Sequence, residues 1–156
     1  MLSEKTKCAI LELQKEYPEK RSALIPALHL AQDEVGYLPL DVQEEIATLF
    51  DIDATEVHGI VTFYDMFFTH RVGKHIIHVC KNVSCMLNGC DRLIEKLEKT
   101  LGIEDGMTTP DGKFTLITTE CLAACDKAPM ILLDEHVIGP VSDSDIEKIL
   151  KGVEHD

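Results

Sequence analysis

Two rhythms of apolar positions divide the chain. Up to about residue 70 the apolar residues recur three or four apart, the spacing of one helix face. Cys8, Ile10, Leu11 and Leu13 mark a first helix from Glu4 to Tyr17, stopped by Pro18. Ser22 is expected to cap a second, with Leu24, Ile25, Leu28, Leu30 and Ala31 apolar, Pro26 near its first turn and Gly36 at its end. Asp41 is expected to cap a third helix carrying Val42, Ile46, Leu49 and Phe50. Asp53 or Thr55 starts a fourth, which runs through Val57, Ile60, Val61 and Tyr64 to about Phe67. No stretch in this half alternates like a strand between turn signals.

Near Val72-Gly73 the pattern changes. His75–Val79 is a short strand-like run ending at Cys80. A helix is expected from Cys85 or Met86 to Leu101, with Leu87, Leu93, Ile94, Leu97 and Leu101 on one side and Gly102 closing it. Pro110-Asp111-Gly112 is a turn. Lys113–Thr119 alternates as a strand, residues 121–128 form a loop, and Met130–Leu133 and Val137-Ile138 read as a strand pair turned at Asp134-Glu135. Ser142-Asp143 is expected to cap a last helix to Leu150. The order β-α-β-β-β-α predicts an α/β fold: a helical segment, residues 1–72, followed by a small domain with a mixed sheet, residues 73–156.

Composition narrows the function. With 45% hydrophobic residues the chain has enough apolar material for a packed core. No apolar run approaches the roughly 18 residues that span a bilayer. The polar, acidic start, Met1-Leu2-Ser3-Glu4-Lys5, has neither signal-peptide nor transit-peptide character, so a cytoplasmic protein without membrane insertion is expected. A net charge of −13, spread over both halves, disfavours nucleic acid as a partner. It also disfavours adding electrons to a bound metal centre, which would lower its reduction potential.

Five of the six cysteines lie in the second half. Clustered thiols in an intracellular chain point to metal or redox chemistry before structural disulfides. Cys80 and Cys85 are separated by four residues, Cys121 and Cys125 by three, and each pair follows a strand. Two loops at one sheet edge can bring four thiolates together, the ligand set of a 2Fe–2S cluster. Four thiolates also suit zinc, in which case the chain would be a zinc-stabilised interaction module. Structural zinc sites usually include a Cys-x2-Cys knuckle, which this chain lacks. The same absence disfavours a thioredoxin-type dithiol enzyme. From spacing alone, iron–sulfur, zinc and unligated thiols or a disulfide all stay open.

Longer motifs carry a resemblance. Cys80-x4-Cys85-Met86-Leu87-x-Gly89, Thr109-Pro110-Asp111-Gly112-Lys113-Phe114 and Glu120-Cys121-Leu122-Ala123-Ala124-Cys125-x2-Ala128-Pro129-Met130 resemble the thioredoxin-like 2Fe–2S subunit of NADH:quinone oxidoreductase, respiratory complex I. Ala27-Leu28-x5-Val35-Gly36-Tyr37-Leu38-Pro39 and Gly59-Ile60-Val61-Thr62-Phe63-Tyr64-x2-Phe67 are similar to that family's helical segment. The resemblance runs in order over nearly the whole chain. It implies a helical bundle followed by a thioredoxin-like domain. It also implies one 2Fe–2S cluster on Cys80, Cys85, Cys121 and Cys125. The implied partner is a flavin subunit that binds FMN and NADH, beside further iron–sulfur subunits, in the peripheral arm of a membrane-associated complex or in a soluble one. Related subunits serve hydrogenases and formate dehydrogenases linked to NAD(P). Between the second cysteine pair Ala123 replaces a glycine common in the family, so a positive φ would strain it by about 1 kcal/mol.

Other candidates read as structural. In a continuous helix, Cys90 would lie about 7.5 Å along the axis from Cys85 and roughly 140° around it, too far for both to bind one iron. It is expected to be a small buried residue, and Cys8 a core thiol. His75 and His78 precede Cys80 on a strand and are not expected to be ligands. Asn82 and Ser84 are placed to donate hydrogen bonds to cluster sulfur, or to be ordinary loop residues. Phe63, Tyr64, Phe67 and Phe68 suit a core or a subunit contact. There is no glycine-rich phosphate loop, so NADH is expected to bind another chain.

Overall fold

The computed structural model describes residues 1–153; the last three positions of the expected second domain, 154–156, lie outside the described residues. Chain contacts separate two units, Met1–Arg71 and Val72 onward.

The first unit is helical. Helix α1 (Glu4–Leu13) starts at Ser3, whose hydroxyl accepts the Thr6 N–H, and it tightens into a 3-10 turn over Gln14–Glu16 before Tyr17. Helix α2 (Leu24–Val35) is preceded by a 3-10 turn over Lys20–Ala23, so Ser22 lies inside that turn and caps nothing. It ends at Gly36, whose φ of 86° is the left-handed conformation that closes a helix. Helix α3 (Leu40–Phe50) begins behind Pro39, and Asp41 sits in its first turn instead of capping it. A carboxylate there faces the positive end of the helix. Helix α4 (Ala54–Phe63) is capped by Asp53, which accepts the Thr55 N–H at 2.8 Å, and it stops four residues short of Phe67.

Burial explains the packing. Leu24, Ala27, Leu28 and Ala31 of α2 share a core with Val42 and Ile46 of α3 and Val57 and Val61 of α4. Small alanines on one face let helix backbones approach closely. Buried Gln43 donates to the Leu38 carbonyl at 2.6 Å and meets His58 at 3.0 Å, which satisfies its amide. Cys8 is exposed, contrary to its expected place in the core. It lies on the outer face of α1, whose inward contact is made by Ile10.

The second unit is a four-stranded mixed sheet, in the order β2-β1-β3-β4, with helices. Strand β1 (His75–Cys80) pairs in parallel with β2 (Phe114–Thr119), from His75 opposite Phe114 to Cys80 opposite Thr119. A parallel pair needs a long crossover. Two helices supply it, α5 (Val83–Leu87) and α6 (Cys90–Leu101), where the apolar spacing predicts one continuous helix. The break falls at Asn88-Gly89, with Gly89 at a φ of 89°. Strand β3 (Ile131–Leu133) runs antiparallel to β1 and turns at Asp134-Glu135 into β4 (His136–Ile138). Ser142 and Asp145 bond to each other ahead of α7 (Ile146–Val153), which begins later than expected. Ile77, Val79, Leu93, Leu97, Phe114, Leu116, Ile131 and Ile146 form the core between sheet and helices. Among the described residues, no helix is long and apolar enough to cross a membrane.

Candidate metal centre

The parallel register puts the carboxyl ends of β1 and β2 at one sheet edge, where open α/β sheets usually bind their ligands. Cys80 is the last residue of β1, and Cys121 follows Thr119, the last of β2, by two positions. Because β3 is antiparallel to β1, it begins at this same edge, with Ile131 opposite Val79. Three chain segments therefore meet here: residues 81–89, residues 120–128, and Met130.

Cross-links fix the first two to each other. Lys81 N–H donates to the Thr119 carbonyl at 3.0 Å, and the Asn82 side chain donates to Glu120 at 3.3 Å. The Asn82 amide is thus engaged by Glu120, while its backbone N–H faces the Cys80 sulfur. The Ser84 carbonyl accepts from the Asn88 amide at 2.7 Å.

Cys80 and Cys85 are buried side by side, packed with Cys90, Met130, Leu122, Ala124 and Ala128. Burial works against a Cys80 thiolate. The N–H groups of Leu122 and Asn82 and the Cys85 thiol outweigh it, and the Cys80 thiol is held below its ordinary value. Cys85 goes the other way: burial pushes its thiol up to about 11, against a Met130 N–H that favours the thiolate. Cys121 and Cys125 are exposed on the second loop, and the Ala123 N–H faces the Cys121 sulfur at 3.4 Å. Cys125 opens a 3-10 turn that ends at Lys127. Gly139 leaves no room for a Cβ against the Lys127 carbonyl, so a glycine there lets the chain after β4 pack on this turn.

Ala123 has a φ of 58°, so the condition under which an alanine here is strained is met. The chain accepts that cost where the backbone must turn its N–H toward a sulfur. His75 is engaged by Asp134 at 2.9 Å, far from a ligand role.

The structure brings the first cysteine pair together and lays the second loop over it through the Leu122 N–H. Among the described residues, no three Cys, His, Asp or Glu side chains stand close enough to cage a metal. The donor chemistry nonetheless suits a thiolate-held cluster. All four cysteines are free thiols, and backbone N–H groups from Asn82, Leu122, Ala123 and Met130 point at three of the sulfurs. Such donors stabilise charge on metal-bound sulfur and tune the metal. Sequence reasoning missed them because they belong to residues chosen for backbone position. The one local signal was the run Cys121-Leu122-Ala123-Ala124-Cys125, where a turn is needed between two thiols.

A thiol-lined edge on a thioredoxin-like sheet is the mark of one class of iron–sulfur protein. Residues 10–154 match the family described as thioredoxin-like 2Fe–2S ferredoxin, and the chain belongs to that family. Over 135 residues it is 44% identical to an E-type subunit of NADH-quinone oxidoreductase from Rhizobium meliloti (strain 1021), covering 86% of this chain and 80% of the relative. It is 38% identical over 143 residues to the corresponding E-type subunit of NADH-quinone oxidoreductase from Escherichia coli (strain K12), covering 92% and 86%. It is 34% identical over 141 residues to the HndA subunit of the NADP-reducing hydrogenase of Solidesulfovibrio fructosivorans, covering 90% and 82%. The fold also superposes on part of an air-oxidised NAD+-reducing NiFe-hydrogenase crystal structure. The TM-score is 0.73 at 23% identity, over 85% of this chain and 23% of that one. Membership of a 2Fe–2S ferredoxin family supports an iron–sulfur cluster ahead of a zinc module.

Proposed function

We propose that the chain is the electron-transfer subunit of an NADH-quinone oxidoreductase. In this reading Cys80, Cys85, Cys121 and Cys125 hold one 2Fe–2S cluster. Residues 73–156 form the cluster-bearing domain, and residues 1–72 form a helical segment for assembly. The observation that carries it is the parallel register that brings both cysteine-bearing loops to one sheet edge, with backbone N–H groups turned toward the sulfurs. A bound 2Fe–2S cluster supplies one-electron chemistry.

The chain's own residues do the rest. Cys80 and Cys85, buried against Met130, exclude water on one side, and the exposed second pair leaves the other side open to an electron partner. The N–H groups of Leu122 and Asn82 offset the burial that works against a thiolate at Cys80. The partner that fits this role is a subunit carrying FMN and NADH, with further iron–sulfur subunits beyond it. The complex would lie on the cytoplasmic side, in a peripheral arm. The likeness to a hydrogenase subunit supports a second parent complex, an NAD(P)-linked hydrogenase, with the same cluster and the same role.

Anaerobic reconstitution with iron and sulfide tests the cluster. The expected product is brown, with two irons per chain and one spin-half EPR signal after reduction. A colourless protein that takes up zinc instead would refute the assignment. Purification with the native complex then separates the parents, because a quinone reductase and a hydrogenase co-purify with different activities.

A further inference from the structure

The sheet joins the two cysteine loops as far as Thr119. The ladder ends with Cys80 opposite Thr119, and the Lys81 N–H extends it by one bond to the Thr119 carbonyl. Past that point the first loop turns into α5 and the second runs on to Cys121, so regular pairing no longer sets the distance between them. The next link is made by side chains. The Asn82 amide crosses to the Glu120 carboxylate at 3.3 Å, two residues after Cys80 and one before Cys121.

Asn82 gives up a local bond to make this link. It stands at the N-cap of α5 with an extended backbone, φ −70° and ψ 166°, and its carbonyl accepts the Met86 N–H at 2.9 Å. Asparagine is among the best capping side chains. Here the side chain makes no capping bond to its own helix and reaches instead a loop 38 residues away in sequence. Its backbone N–H meanwhile faces the Cys80 sulfur. The charge of Glu120 is also felt at that sulfur, so a carboxylate of the second loop lies close to a ligand of the first.

We propose that Asn82 and Glu120 form a clasp that sets the spacing of the two ligand loops, which makes both of them positioning residues for the cluster. This rests on the cluster assignment above. A cluster that bridges two loops stays bound only while the loops keep one separation, and groups behind the ligands hold that geometry. The amide of Asn82 donates and the carboxylate of Glu120 accepts. The chemistry of the pair works in either direction, provided that one member donates and the other accepts.

The test is anaerobic reconstitution of the full chain, followed by the rate at which a chelator strips its iron, its EPR spectrum and the urea midpoint of the cluster-free chain. Asn82→Ala removes the donor and leaves the charge unchanged. It is expected to lose iron about 3- to 10-fold faster than the wild type, the effect of one hydrogen bond. Its EPR lines should shift while its urea midpoint stays. Glu120→Ala should also lose iron faster, and Asn82→Ala/Glu120→Ala no faster than the worse single variant, because one bond is lost only once. Glu120→Gln keeps an accepting oxygen and should retain iron as the wild type does. Asn82→Asp sets two carboxylates against each other and should lose iron fastest. Asn82→Asp/Glu120→Gln exchanges donor and acceptor and should restore retention. Wild-type iron loss in Asn82→Ala overturns the clasp and leaves the cluster assignment standing. Fast loss in Glu120→Gln does the same, since it assigns the effect to charge, and so does a urea midpoint that falls in step with retention. Should the wild type fail to load, the cluster assignment itself falls, and the clasp with it.

Discussion

Replacing Ala123 by glycine should make the protein more stable. Among the described residues, three other than glycine have positive φ: Asp51, Ala123 and Asp134. Aspartate tolerates this region because its carboxylate can bond nearby backbone, and Asp134 does so, accepting the Ile76 N–H at 2.8 Å. Ala123 has no such compensation. Its left-handed conformation costs about 1–2 kcal/mol relative to glycine. Glycine returns about 0.4–1 kcal/mol of that through the greater freedom of the unfolded chain. The net gain expected for Ala123→Gly is about 0.5–1 kcal/mol. For a chain of 156 residues this raises Tm by about 1–4 °C. The assay is thermal and urea denaturation of the cluster-free protein, with Asp134→Gly as the internal contrast. That variant shares the positive φ but loses the carboxylate bonds, so its Tm should fall. An unchanged or lower Tm for Ala123→Gly would show that the loop, and not the alanine, sets the energy at this turn.

Further outcomes are expected. Cys121→Ala should abolish the visible absorption of reconstituted protein while leaving its circular dichroism unchanged; retention of the chromophore would exclude Cys121 as a ligand. Gly139→Ala should destabilise the chain by about 1–3 kcal/mol in urea titration, because the added Cβ meets the Lys127 carbonyl and the turn beside Cys125 must move. Stability should also fall in acid. The Leu2 N–H and Lys7 hold Glu45 below the usual carboxylate range, and the Thr109 hydroxyl does the same for Asp111. A depressed folded-state pKa adds stability that is present above the unfolded value, near 4, and is lost as pH falls through the folded one. Glu45→Gln should therefore lower Tm at pH 7, with the gap to wild type closing toward pH 3. A gap that stays constant with pH would remove Glu45 from this role.

Local signals were legible where a feature depends on a few adjacent residues. Asp53 caps α4, and Gly36 and Gly102 close α2 and α6, because caps are built from side chains and φ values within one turn. The positive φ of Ala123 was open in the sequence, raised only by the family resemblance that puts a glycine at this position. The break at Gly89 was hidden. Leu87, Leu93 and Leu97 keep helical spacing across it, and spacing reports which residues are apolar, not whether the backbone between them is continuous. The exposure of Cys8 was hidden for a related reason: an amphipathic helix has more apolar positions than its neighbours cover.

Residue order alone carried the succession of elements, the helical first half, and two cysteine pairs with spacings that suit a diiron centre. That the pairs share one edge emerged only on folding, because the β1–β2 register joins residues almost forty positions apart and no local rule encodes that pairing. Which backbone N–H groups face the sulfurs, and the inward turn of Cys90, emerged the same way. These features depend on chain direction in three dimensions, where a single glycine reverses what the pattern of side chains implies.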